Sequence, residues 1–304
     1  MSGIDLQDLQ PALPLRALSY VEEAVVFHCE DDTLVGVVTR PVSKPLRRGV
    51  LIIPGGPQYR IGSHRQFVLL ARRLADQGYP VLRFDYRGMG DAVGEPRMLN
   101  GIEFEDLDPD IAAALDAFFS KCPGMTEVVL WGLCGAASAA LMYACKDVRV
   151  RGLVLLNPWV RTQETLARAH IKHYYLKRLL QLGFWTKAAR GKLQARASLR
   201  ALAENLKLAV VAARRSGDGS KLSLGEHMLA GLRKYDGKLL IVLSGNDLTA
   251  AEFADYAKGS YAWTKLLEEH RAIIQEFAGA DHTFSSAAWR RQVENSTLAW
   301  LRTW

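Results

Sequence analysis

Three residues whose types together perform acyl chemistry lie far apart in this 304-residue chain: Cys134, Asp247 and His282. Cys134 sits in Val128-Val129-Leu130-Trp131-Gly132-Leu133-Cys134-Gly135-Ala136-Ala137, an apolar run that breaks at a glycine, presents one thiol and continues into small, helix-compatible residues. That is the pattern of a nucleophile elbow. A side chain on a strained strand-to-helix turn needs small residues two before and two after it, here Gly132 and Ala136. The cysteine then heads a helix, where free backbone N–H groups and the helix dipole favour thiolate, the form that attacks an acyl carbon. An isolated cysteine is more often buried and inert, so the reading depends on a base and an acid reaching it. Asp247 follows the apolar stretch that ends at Leu243, and His282 follows the one that ends at Phe277, so both should emerge beyond strand ends. Asp281 is the rival acid, but as the neighbour of His282 it is expected to point elsewhere.

The elements that must position these groups can be read from periodicity and turn residues. Residues 21–29 and 33–40 are β-rich and flank Glu30-Asp31-Asp32, which predicts an opening antiparallel hairpin. Strands are then expected at 49–53, 79–84, 127–131, 149–156, 238–243 and 272–277, with those at 49–53, 149–156 and 238–243 buried. Helices are expected at about 64–77, with Ser63 as cap and Gln66 completing a capping box, and at 109–120, 263–270 and 284–301. Strands alternating with helices imply an α/β chain with a mostly parallel sheet, helices on both faces and the chemistry on loops at the strand C-termini.

Composition bounds what this scaffold serves. Hydrophobic residues make up 49% of the chain, ample for one large core, and no uncharged apolar run is long enough for a membrane span. The start Met1-Ser2-Gly3-Ile4-Asp5 lacks the basic opening and apolar stretch of a signal peptide, so a cytoplasmic protein is expected. Cys29, Cys122, Cys134 and Cys145 have no zinc or C-x-x-C spacing and fit a reducing compartment. The net charge of +7 is unevenly spread: between residues 161 and 235 sixteen Lys and Arg face four Asp and Glu, so that segment carries +12 and the rest −5. Helical in composition and without a good strand, residues 159–235 read as a basic cap or lid, and residues 1–158 with 236–304 as the core. The lid could meet an anionic carrier, a lipid headgroup or an acidic polysaccharide. No nucleic-acid motif accompanies the charge. His170 and His173 lack an evident third ligand, and the glycine pairs match neither a P-loop nor a dinucleotide fingerprint, so no metal or other cofactor is expected.

Further motifs carry a resemblance. Pro54-Gly55-Gly56-Pro57-Gln58 is similar to the His-Gly oxyanion loop of α/β-hydrolases, and Asp85-Tyr86-Arg87-Gly88-Met89-Gly90 to their Asp-x-Arg-Gly-x-Gly turn. The order nucleophile, acid, histidine is also theirs. More narrowly, residues 55–67 and Trp131-Gly132-Leu133-Cys134 resemble the hydrolases associated with the exosortase A system, encoded among bacterial exopolysaccharide and protein-sorting genes. The resemblance implies the α/β-hydrolase fold with a helical lid insertion and a triad of Cys134, Asp247 and His282. Two departures stand out: cysteine replaces the usual serine, as it does in dienelactone hydrolases, and Ala136 replaces a glycine. Pro57 has no N–H, which leaves Gly56 and Gly135 as oxyanion donors, worth roughly 3 kcal/mol each.

On this reading the chain is an acyl hydrolase acting on an ester, thioester or lactone of a small-molecule substrate. Gln58, Tyr59, His64, Trp159 and Trp185 are expected to line its pocket. Two other readings remain open: an acyltransferase that passes the acyl group from Cys134 to a sugar or carrier, and a non-catalytic assembly protein on a hydrolase scaffold.

Overall fold

The computed structural model describes residues 19–56, 58–94, 107–160 and 222–304. Eight strands form a single sheet in the order β1-β2-β4-β3-β5-β6-β7-β8. Here β1 is Tyr20–Cys29, β2 Asp32–Pro41, β3 Arg48–Ile53 and β4 Val81–Asp85. The other half is β5 Glu127–Leu133, β6 Val150–Leu156, β7 Lys238–Ser244 and β8 Ile273–Phe277. The β1–β2 hairpin and the β2–β4 pair are antiparallel, and every later pairing is parallel.

Strand alternation divides the core into two layers. Val50, Ile52, Val129 and Trp131 point to the side covered by α1 (Gln66–Asp76) and α7 (Ala287–Leu301). Leu51, Ile53, Val128 and Leu130 point to the other side. That side is covered by α2 (Asp108–Lys121), α3 (Gly135–Tyr143), α4 (Leu224–Lys234), α5 (Leu248–Lys258) and α6 (Tyr261–Glu269). Near-continuous apolar strands are what a sheet covered on both faces requires.

Two elements depart from the sequence expectation. The capping box expected at Ser63 does not form. Gly62, His64 and Arg65 have positive φ (72°, 53° and 59°), the Ser63 hydroxyl accepts from Gln58 Nε2 at 2.9 Å, and α1 begins at Gln66 without a side-chain cap. The box forms instead at Ser223, whose hydroxyl accepts from the Glu226 N–H while the Glu226 carboxylate accepts from the Ser223 N–H, opening α4. Helix α5 is the second departure: the sequence reading places no helix between 243 and 263, yet Thr249, Ala250, Phe253 and Ala257 form its buried face.

Within the segment expected to form the lid, residues 161–221 lie outside the described residues. The described part contains α4, which packs directly on α3: a Cβ added at Gly231 would approach the Leu141 carbonyl oxygen to 2.8 Å. Met228 and Leu232 of this helix are fully buried in the core.

Candidate active site

The apolar strand β5 runs into α3 through one residue, Cys134, held at φ 60° and ψ −123°. Its N–H donates to the Leu156 carbonyl at 2.8 Å, tying the turn to the end of β6. A non-glycine residue in this region is strained and persists because its surroundings enforce it. Gly132 shows how tight they are: a Cβ there would fall 2.6–2.7 Å from the backbone of Ala136 and Ala137. Gly132→Ala is therefore expected to pry strand and helix apart, at a cost of about 1–3 kcal/mol in stability, read as a lower denaturation midpoint together with lost reactivity of Cys134. Gly135 opens α3, so its N–H has no partner within the helix, and the residue lines the cavity.

The glycine loop after β3 lies against this turn. A Cβ at Gly55 would come within 2.2 Å of the Leu133 carbonyl oxygen, so glycine is what permits the approach. Gly56 has φ 58°, and the buried Tyr86 hydroxyl donates to its carbonyl at 3.0 Å. Asp85, fully buried, accepts from the Arg60 N–H at 2.6 Å and the Asp91 N–H at 3.0 Å and pairs with the Arg60 guanidinium, fastening the chain just beyond the loop. Tyr86 belongs to the turn singled out in the sequence, but its grip on Gly56 is a contact across 30 residues that no spacing rule reveals.

Asp247 and His282 converge on Cys134 from β7 and β8. Asp247 Oδ2 accepts from the Ala250 N–H at 3.0 Å, capping α5, and lies 2.9 Å from His282 Nδ1. The helix cap and the histidine contact use the same carboxylate oxygen, so α5 fixes the carboxylate that faces the imidazole. The imidazole shares a cavity with Cys134, whose side chain is the second influence on it. These influences, with Asp247 first and Cys134 second, outweigh desolvation and push the His282 pKa from 6.5 up to about 10. Asp281 turns away: its carboxylate accepts from the Ser285 N–H at 2.9 Å and from the Ser285 hydroxyl. Burial opposes its charge, yet the Ser285 bonds hold its pKa below the usual carboxylate range.

A cavity of about 640 Å³ opens onto Cys134 and His282. Pro54, Tyr86, Leu107, Leu133, Ala136 and Trp159 form its apolar walls, with Gln58 and Ser63 as polar side chains at one side. Trp159 is pinned by Ser138 of α3, whose hydroxyl donates to its carbonyl at 2.7 Å and accepts from its N–H at 2.9 Å. Of the other residues expected in the pocket, Tyr59 is 42% exposed with Arg60 over its ring, and His64 is exposed on the turn before α1. Neither lines the cavity, whereas Gln58 and Ser63 beside them do. Trp185 lies outside the described residues, as do His170 and His173.

The sequence matches the Alpha/beta hydrolase family over residues 50–294. The chain belongs to this family. Relatives of this alpha/beta hydrolase include human protein ABHD12B, 35% identical over 114 residues that make up 36% of this chain and 29% of that protein. Another is the quorum-quenching protein AidA of Acinetobacter baumannii, 28% identical over 149 residues, 47% of each chain. The chain thus spans less than half the length of the curated relatives it matches. Among solved structures, Pyrococcus furiosus esterase Pf2001 superposes with a TM-score of 0.61 at 15% identity, covering 94% of this chain and 92% of that one. Dienelactone hydrolase from Anabaena variabilis gives 0.58 at 14% identity, covering 94% and 99%. At these identities the likeness is one of fold. The alpha/beta hydrolase fold here is an eight-stranded, mostly parallel sheet flanked by helices on both faces.

Proposed function

We propose that this alpha/beta hydrolase cleaves an ester, thioester or lactone of an apolar acyl group through a Cys134–His282–Asp247 triad. One observation carries the reading: a thiol on a strained elbow at a helix N-terminus shares a cavity with an imidazole that a capped carboxylate holds through its Nδ1. The apolar walls of the adjoining cavity suit an acyl chain.

In the reaction, the Cys134 sulfur attacks the acyl carbonyl and its proton resides on His282, whose Nδ1 faces Asp247. The tetrahedral oxyanion is held by the Gly56 and Gly135 N–H groups. The intermediate collapses as the carbon–oxygen or carbon–sulfur bond to the leaving group breaks, and His282 protonates the departing alkoxide or thiolate. A water then attacks the acyl-thiol, gives its proton to His282, and the acid leaves as Cys134 is restored.

The structural neighbours named as an esterase and a dienelactone hydrolase fit acyl chemistry of this kind. The resemblance of residues 55–67 and 131–134 to exosortase-associated hydrolases supports a cytoplasmic role beside bacterial exopolysaccharide and protein-sorting systems. The basic segment between residues 161 and 235 suits an anionic carrier, headgroup or polysaccharide as the partner that brings the substrate. Among the described residues, no helix is long and apolar enough to cross a membrane.

The test is to incubate the protein with p-nitrophenyl and acyl-thioester substrates, trap it rapidly with acid, and map acyl adducts by mass spectrometry. An adduct on Cys134 that decays with release of free acid is the expected result. Adducts spread over Cys29, Cys122 and Cys145 with Cys134 unmodified would overturn the nucleophile assignment. Decay that requires an added hydroxyl acceptor would mark an acyltransferase instead.

A further inference from the structure

The residue immediately after β6 is Asn157, fully buried and in a left-handed conformation (φ 45°) that asparagine tolerates better than most side chains. Its N–H donates to the Val242 carbonyl at 3.0 Å, anchoring it to β7. Its side-chain amide then bonds two neighbours through both of its polar atoms, with both Nδ2 hydrogens used. Oδ1 accepts from the Ser244 N–H at 2.8 Å, while Nδ2 donates to the Ser244 hydroxyl oxygen at 2.9 Å and to the His282 carbonyl at 3.0 Å. The Ser244 hydroxyl in turn donates to the Asp281 carbonyl at 2.8 Å.

Two consecutive carbonyls of the histidine loop, those of Asp281 and His282, are thereby held by buried side chains rooted in the parallel centre of the sheet. The loop needs such support. It leaves β8, an edge strand with exposed Ile273 and Ile274, through Gly279 at φ 82°. Asn157 itself does not line the cavity.

We propose that Asn157, with Ser244, is a positioning residue that fixes the His282 backbone so that the imidazole meets Cys134 and Asp247 together. This rests on the triad reading above. The amide is required for its chemistry, not only its shape: two donor hydrogens on Nδ2 serve two acceptors, and a carboxylate would set an acceptor against the His282 carbonyl. Displacing a general base by a fraction of an ångström to 1 Å is enough to lower turnover by roughly 10- to 100-fold.

The experiment compares wild type, Asn157→Asp, Ser244→Ala and His282→Ala in p-nitrophenyl ester turnover and in the rate of Cys134 alkylation by iodoacetamide at pH 7, read by mass spectrometry, with circular dichroism and melting curves as the fold check. Asn157→Asp is expected to lower kcat roughly 10- to 100-fold with KM within about 2-fold, and to slow alkylation of Cys134. Ser244→Ala moves both in the same direction by less, and carries the test alone if Asn157→Asp does not fold. Unchanged kcat in the folded variants, a change confined to KM, or lost kcat with Cys134 alkylated at the wild-type rate would each overturn the proposal. If His282→Ala slows alkylation and Asn157→Asp does not, the clamp alone is refuted. If His282→Ala alkylates and turns over normally, the triad falls and the clamp with it.

Discussion

Replacing His282 with alanine is expected to reduce ester turnover on the order of 10⁴-fold or more, because one side chain serves as base in acylation, as acid toward the leaving group and as base again toward water. The fold should survive, since the side chain is 35% exposed and lies on a loop. The substitution also has a signature in stability against pH. In the folded protein the pKa of His282 is pushed from 6.5 to about 10 by its bond to Asp247 and by the neighbouring Cys134. A raised pKa means that the folded state binds the proton more tightly, so the stabilisation is fully present below about pH 6.5 and fades as the pH climbs toward 10. Chemical denaturation of the wild type between pH 6 and 10 should record that decline, and His282→Ala should flatten it. A wild-type curve with no slope in that window, or one as steep in the variant, would contradict the pairing.

The largest effect on stability is expected from Asp110→Ala. Asp110 is fully buried at the first turn of α2 and accepts from the Arg87 N–H at 2.8 Å, while its two oxygens receive the Arg87 guanidinium at 3.0–3.2 Å. Burial works against the Arg87 charge, but the Asp110 bonds overcome it and raise the pKa of the arginine. The Arg87 side chain is only 5% exposed, so without Asp110 a guanidinium is left desolvated with little beyond the exposed Glu30 carboxylate to meet it. Removing one partner of a buried pair costs about 3–5 kcal/mol. Denaturant titration should show that loss, with Asp110→Asn intermediate because it keeps an acceptor for the Arg87 N–H. A loss below about 1 kcal/mol for Asp110→Ala would mean the pair contributes no more than a surface ion pair.

These two residues differ in how far they could be read from the chain. Cys134, Asp247 and His282 each follow an apolar run, and turn residues mark where those runs end, so their placement beyond strand ends is a local matter. Asp247 also illustrates why a single residue is ambiguous in sequence: its position fits a helix cap and an acid partner equally well, and in three dimensions one oxygen does both. The capping boxes make the same point from the other side. Ser63–Gln66 and Ser223–Glu226 share a spacing, but only the second forms, because left-handed residues around Ser63 turn its hydroxyl toward Gln58.

By itself the sequence determined the strand and helix alternation, the small residues flanking Cys134 and the glycines at 55 and 56, because periodicity and backbone sterics act over a few residues. Only the tertiary structure decided that the imidazole of His282 meets the carboxylate of Asp247 and shares one cavity with Cys134, beyond the ends of three different strands. It also decided that Tyr86, Ser138 and Asn157 hold the surrounding loops. Their roles are hydrogen bonds between chain segments 21 to 125 residues apart, and such bonds follow from which strands lie side by side, an arrangement that no local pattern encodes.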